Sequence, residues 1–338
     1  MTREVHMRSV AFVLMTPLLA CTGYVQGGDS PLPDGATAPD AGGPLPPPAH
    51  GFHVTSKPPP DIAPGEESTY CYYFRTSNTD ELSVQRWVSR MDPGVHEMIL
   101  YLTPTDRQTP ETISSTNCGI ASSNGSPLWT YSAQTPDAHW DLPSNDGAGN
   151  PVGQLIRANQ PAFLQIHYLN TTGSVIHPQV ELNAYAYDNS IPVTLAAPFV
   201  TFRSGFQIAP GSEAQPAMAE TNGSCPLPVD TTGAPVKFFM MTTHTYRQGV
   251  HTSVSDGITT LFDSTSWMLP GATTWSAPFY AFQGTKLGYQ CRYLNENTYT
   301  IMTGDNPTTD ELCMSISFYV PADRGAIGHF CLDNSMVY

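Results

Sequence analysis

The chain has 338 residues, of which 40% are hydrophobic and only 13% charged, with 27 Gly and 32 Pro. Lys and Arg number 14 against 29 Asp and Glu, a formal net charge of −15, so the basic footprint that a nucleic-acid binder needs is missing. A composition this rich in Gly and Pro is that of short strands and many turns and excludes a coiled coil or a long helical bundle. The length suits about two domains.

The chain opens with Arg3 and Arg8 ahead of an apolar stretch from Val10 to Leu19, which ends in Leu18-Leu19-Ala20-Cys21. A basic start, a short apolar run and small residues before a cut predict a signal peptide over residues 1–20. The run is too short for a permanent membrane-spanning helix. A cysteine directly after Leu-x-Ala resembles the bacterial lipobox. That resemblance implies that Cys21 is lipidated and tethers the mature protein to a membrane of a bacterial cell envelope, at the outer membrane or facing the periplasm. Residues 21–50, rich in Gly, Pro, Ala and Asp and ending near Pro46-Pro47-Pro48, predict an extended tether without a core of its own.

Beyond the tether, segments rich in β-branched, aromatic and large aliphatic residues are bounded by Gly, Pro, Asn or Asp. They predict strands over residues 97–101, 162–168, 180–187, 236–241 and 314–320. No amphipathic helix longer than about two turns is evident. Asn189-Ser190-Ile191-Pro192 closes the first block of strands, which places a boundary near residue 190. The expected fold is all-β: two antiparallel β-sandwich, jelly-roll-like domains over residues 51–190 and 191–338 with an open cleft between them. Apart from Cys21, six cysteines remain, at 71, 118, 225, 291, 313 and 331. An even number in an exported chain argues for disulfides, and six allow 15 pairings. If each half is a domain, Cys71 pairs with Cys118.

Three histidines sit in strand-like contexts: His96 in Val95-His96-Glu97-Met98, His167 in Leu164-Gln165-Ile166-His167-Tyr168, and His244 in Thr242-Thr243-His244-Thr245-Tyr246-Arg247-Gln248-Gly249. His139 and His177 read as loop or edge residues, and Met240-Met241 as packing. In their order, and together with Leu142-Pro143, Cys291 and Thr309-Asp310-Glu311-Leu312-Cys313, these motifs resemble the copper type II, ascorbate-dependent monooxygenases, the family of peptidylglycine α-hydroxylating monooxygenase and dopamine β-monooxygenase. The resemblance covers roughly residues 65–335. It implies two sandwich domains with one copper each, a three-histidine electron-transfer site in the first, and a His-x-His-plus-Met oxygen-binding site in the second. It also implies the disulfides Cys225–Cys331 and Cys291–Cys313. Imidazole suits both copper oxidation states and a thioether favours Cu(I).

The chain departs from that pattern at three of six ligand positions. The expected His-His reads His96-Glu97, the expected His-x-His reads His244-Thr245-Tyr246, and the expected methionine is Leu312. His96, Glu97 and His167 would form a harder set that shifts preference away from Cu(I). Met314 shares a strand face with Leu312 but lies one face-repeat along. Tyr246 keeps the parity of the lost histidine, although a phenol binds metal well only when ionised. His251 lies past the turn, where hairpin register decides which way it faces.

The resemblance thus implies a lipid-anchored enzyme that hydroxylates an activated C–H bond of a small-molecule or peptide substrate, using dioxygen, one or two copper ions, and ascorbate or another external reductant. The lost ligands imply the alternative: a non-catalytic metal- or ligand-binding envelope protein on the same fold, with the oxygen-activating site gone.

Overall fold

The computed structural model describes residues 43–116, 118–120, 127–325 and 327–337. The expected signal peptide, Cys21 and the tether up to residue 42 lie outside the described residues. The described chain forms β1 (Gly51–Thr55), β2 (Glu67–Arg75), β3 (Leu82–Met91), β4 (Val95–Leu102), β5 (Thr112–Ser114), β6 (Leu128–Ala133), β7 (Asp137–Asp141), β8 (Val152–Ile156), β9 (Pro161–Leu169), β10 (Val180–Ala186), β11 (Thr194–Phe202) and β12 (Gln207–Ile208). It continues with β13 (Ala217–Pro226), β14 (Lys237–His244), β15 (Gly249–Ser255), β16 (Thr260–Ser264), β17 (Thr273–Thr274), β18 (Lys286–Asn295), β19 (Ile301–Thr303), β20 (Asp310–Glu311), β21 (Met314–Val320), β22 (His329–Leu332) and β23 (Ser335–Met336). Among the described residues there is no helix. The fold is all-β; the segments expected as strands over 97–101, 162–168 and 314–320 lie in β4, β9 and β21, and those over 180–187 and 236–241 overlap β10 and β14, each running one residue past the strand.

The strands build four sheets. The largest has eleven strands, ordered β1-β10-β3-β8-β11-β21-β14-β17, with β7, β22 and β23 attached to its side. A five-stranded sheet runs β5-β2-β9-β4-β6, a four-stranded one β13-β18-β15-β16, and a three-stranded one β12-β19-β20. The large sheet crosses the boundary near residue 190. β11, the first strand after it, pairs in parallel with β8 through Thr194–Ala196 and antiparallel with β21 through Ala197–Phe202.

Two apolar cores follow from side-chain alternation. One lies between the five-stranded sheet and the large sheet and draws on both halves of the chain: Tyr131 of β6 stacks on Trp87 of β3, ring centres 5.8 Å apart, Trp87 meets Phe52 of β1 edge-on, and Phe239, Ile316 and Phe318 join from β14 and β21. The other lies between β11, β14 and β21 of the large sheet and the four-stranded sheet, with Phe199, Phe238 and Tyr319 against Leu287, Tyr289 and Tyr293. Met241 is buried in this second core, whereas its neighbour Met240 packs against the first. The end of the segment expected as tether is part of this body: Leu45 is 3% exposed, its amide donates to Glu181 Oε2 at 2.9 Å, and Asn183 Nδ2 donates to Pro46 O. A leucine inside the Pro-rich run gives that stretch something to bury, so the packed chain begins before residue 51.

Tyr131, and Leu100 opposite it, point from the five-stranded sheet into the first core. By alternation, Thr69, Glu97, Ile99, Gln165 and His167 point out of the other face, where residues of the second half meet them. That face carries the candidate site.

Disulfides join Cys71–Cys118, Cys225–Cys331 and Cys291–Cys313, the pairs named from the sequence. Cys225–Cys331 spans 106 residues and Cys291–Cys313 spans 22. Loop entropy therefore predicts that replacing the first pair by serines costs about 1.4 kcal/mol more than replacing the second. Urea unfolding of the two double variants checks this; equal or reversed losses would contradict it.

Candidate functional site

Register sets the first part of the site. His167 of β9 lies opposite Thr69 of β2 on one side and Glu97 of β4 on the other, so the three side chains form one row on one face. Strict alternation would send His96 to the opposite face from Glu97. The register shift between Val95 and Glu97 prevents this: His96 is the extra residue of a β-bulge, which re-aims its side chain. Its ring lies 5.2 Å, centre to centre, from that of His167, with the planes at 88°. Two imidazoles bound to one tetrahedral ion place their ring centres roughly 5 Å apart. The first-half histidines therefore converge at a spacing that fits a shared ion.

His167 is held from behind. Its Nε2 lies 2.9 Å from Glu67 Oε1, and Glu67 is also paired with Arg247 of the second half. The hydrogen bond with His167, and then Arg247, hold the Glu67 carboxyl down at about 2. Sequence reasoning passed over Glu67. It lies 100 residues from His167, and only the β2–β9 register, which no motif reveals, brings the two together.

The second half supplies His244, at the end of β14. It is buried against Trp129 (ring centres 5.1 Å apart) and Tyr246 (5.5 Å), with Nδ1 3.8 Å from Glu97 Oε1. Trp129 reaches this face through a second bulge, at Thr130, which shifts the β4–β6 register. The cavity among Glu97, Gln165, His167, His244, Tyr246 and Pro307 leaves about 10 Å³ for the centre of a water-sized sphere, room for one water or one bare ion. The candidates from the two halves therefore touch in a closed seam instead of facing each other across open space.

Burial sets the charges in that seam. Desolvation pushes the Glu97 carboxyl up to about 8, against a hydrogen bond donated by Gln134, and pushes the His244 imidazole down to about 3. Near neutral pH the Glu97–His244 contact is thus between a carboxylic acid and a neutral imidazole, and is not an ion pair. Burial, followed by Asp305, raises the Tyr246 phenol well above its ordinary value, so it stays protonated and is no phenolate ligand. Met314 lies directly opposite His244 across β14–β21, and both are buried. The methionine one face-repeat past Leu312 is therefore the strand neighbour of this histidine. His251 lies on β15 with its Nε2 3.9 Å from Asp263, away from the site.

Glu311 shapes the turn that carries these residues. Buried in the second half, it accepts hydrogen bonds from the amides of Tyr246, Gln248 and Leu312, while burial raises its carboxyl to about 8. It thereby fixes Thr245–Gly249 and, with it, the positions of Tyr246 and Arg247.

Among the described residues, no three His, Cys, Asp or Glu side chains are grouped so as to hold a metal ion. The donor chemistry divides accordingly. His96 and His167 are the two imidazoles whose ring centres, 5.2 Å apart, are close enough for one ion to bridge. His244, boxed by two aromatic rings and a neutral acid, does not fit an independent copper site.

The buried pair gives a signed pH dependence for the metal-free protein. Unfolded His244 binds its proton near 6.5 and the folded form only near 3, so stability falls as pH drops through that window. Folded Glu97 keeps its proton up to about 8 against 4.5 unfolded, so stability falls as pH rises from 4.5 to 8. Glu97→Gln removes the second arm: its Tm should exceed that of the wild type at pH 8 and lie near it at pH 5. Thermal melts across pH check this, and a variant less stable than wild type at pH 8 would contradict it. No protein-family model matches this chain, and no curated protein matches it in sequence.

Proposed function

We propose that this protein is a metal-binding lipoprotein of a bacterial envelope, holding one Cu(II)-class ion between His96 and His167, in which the oxygen-activating site of the copper monooxygenases has been lost. The observation that carries the reading is the near-perpendicular approach of the two rings at 5.2 Å, with Glu67 behind His167. A carboxylate on the far nitrogen of a metal-binding histidine fixes its tautomer and raises its basicity. Here that leaves Nδ1 of His167 as the nitrogen available to an ion. Imidazole suits Cu and Zn, and among divalent ions Cu(II) binds such sites most tightly. The large sheet runs through both halves, and the core beneath the five-stranded sheet draws residues from both. Leu18-Leu19-Ala20-Cys21 supports anchoring through a lipid on Cys21.

Loss of the second site is supported by the surroundings of His244. A lone imidazole packed against Trp129 and Tyr246, with room beside it for one water, has neither the ligands nor the space for dioxygen and substrate. The residues of this chain would bind and shield the ion, and no external reductant such as ascorbate is required for that role.

Metal titration of the purified protein tests the reading. One ion per chain is expected. His96→Ala or His167→Ala should abolish saturable binding, Glu67→Gln should weaken it about 10- to 100-fold, and His244→Ala should leave it unchanged. Absence of saturable binding, or wild-type binding by the His96 and His167 variants, would overturn the proposal. Two ions per chain with ascorbate-dependent oxygen uptake that His244→Ala abolishes would restore the monooxygenase reading.

A further inference from the structure

Trp267 lies on the segment between β16 and β17, in the second half, and its ring reaches His96 of the first, centre to centre 5.6 Å at 56°. The surroundings are unusual for a tryptophan. Its neighbours Thr265, Ser266, Met268 and Leu269 are exposed, the last two at 46% and 49%, so the ring is not anchored in a core of its own loop. The loop keeps its shape through short internal bonds, with the Ser266 amide donating to Ser264 Oγ and the Leu269 amide to Ser266 Oγ. It is fastened to β14 by Thr242 Oγ1, which donates to Gly271 O at 2.5 Å. Gly271 has φ +74°, a left-handed conformation that glycine adopts at little steric cost. His96 is only partly buried, and Trp267 covers it.

We propose that Trp267 is the gate of the His96–His167 ion site: the 265–272 loop swings about Ser264 and Gly271 to admit or release the ion, and its closed position screens His96 from solvent. This rests on the ion-site reading above. A gate changes the rates of entry and exit together and leaves the equilibrium nearly untouched, whereas a ligand or a purely structural residue changes affinity.

Two measurements on the full mature chain separate these roles. The first is modification of His96 by diethyl pyrocarbonate in metal-free protein, followed by peptide mass mapping. Trp267→Ala should raise the His96 rate about tenfold and leave exposed His177 unchanged, while Trp267→Phe and the neighbouring Met268→Ala should stay near wild type. Equal His96 rates in wild type and Trp267→Ala would overturn the gate and leave the ion site standing. The second is stopped-flow binding of Cu(II). Association and dissociation should both quicken by about the same factor in Trp267→Ala, with Kd little changed. A change in Kd with unaltered association would overturn the gate in favour of direct stabilisation of the ion. Failure of both proteins to bind Cu(II) would overturn the ion site, and with it the gate.

Discussion

β11 carries the backbone coupling on which the site depends. Its first residues hydrogen-bond in parallel to β8 of the first half, and its later residues pair with β21 of the second. Ladder hydrogen bonds leave little freedom to shear, so the halves are held in one register. β21 in turn pairs with β14, and that pairing ends at His244↔Met314. The end of the ladder is thereby delivered to the outer face of the five-stranded sheet, where Glu97 and His167 already stand in a row. The two halves meet at this face because one sheet runs through both.

Their meeting has an electrostatic consequence. Glu97 and His244 come within 3.8 Å in a water-poor space, where keeping either charged would carry a large desolvation penalty, and both become neutral. Charge persists two strands from Glu97, at Glu67, because His167 and Arg247 both stabilise its carboxylate. The result is an asymmetric centre. A pair of imidazoles, with the Glu67–Arg247 ion pair behind one of them, lies next to a third imidazole that is packed and neutral.

The strands were legible where composition and alternation agree, as over β9 and β21, and the disulfides followed from chain halves and family pattern. The shared sheet was not. Thr194–Phe202 has no signal that separates pairing across the boundary from pairing within its own half, because strand partners are set by tertiary packing. At the site, His96, His167 and His244 stood out as residues in strand contexts, but what surrounds them did not. A bulge moves His96 to the face of His167 and another moves Trp129 to that of His244, and a one-residue shift of this kind leaves no mark in hydropathy. Glu67 and Trp267 reach the histidines from distant elements and carry no motif. Met314 shares the first core with Leu312 and Ile316, but its strand neighbour, His244, became visible only with the β14–β21 register.

The central claim is that two imidazoles, those of residues 96 and 167, share one ion at the seam. Pulsed electron paramagnetic resonance of the Cu(II)-loaded protein counts coordinated imidazoles through the modulation from their remote nitrogens. The account predicts two in the wild-type protein, one or none after His167→Ala, and two after His244→Ala. A wild-type spectrum without imidazole modulation, or one that loses an imidazole on His244→Ala, would contradict it.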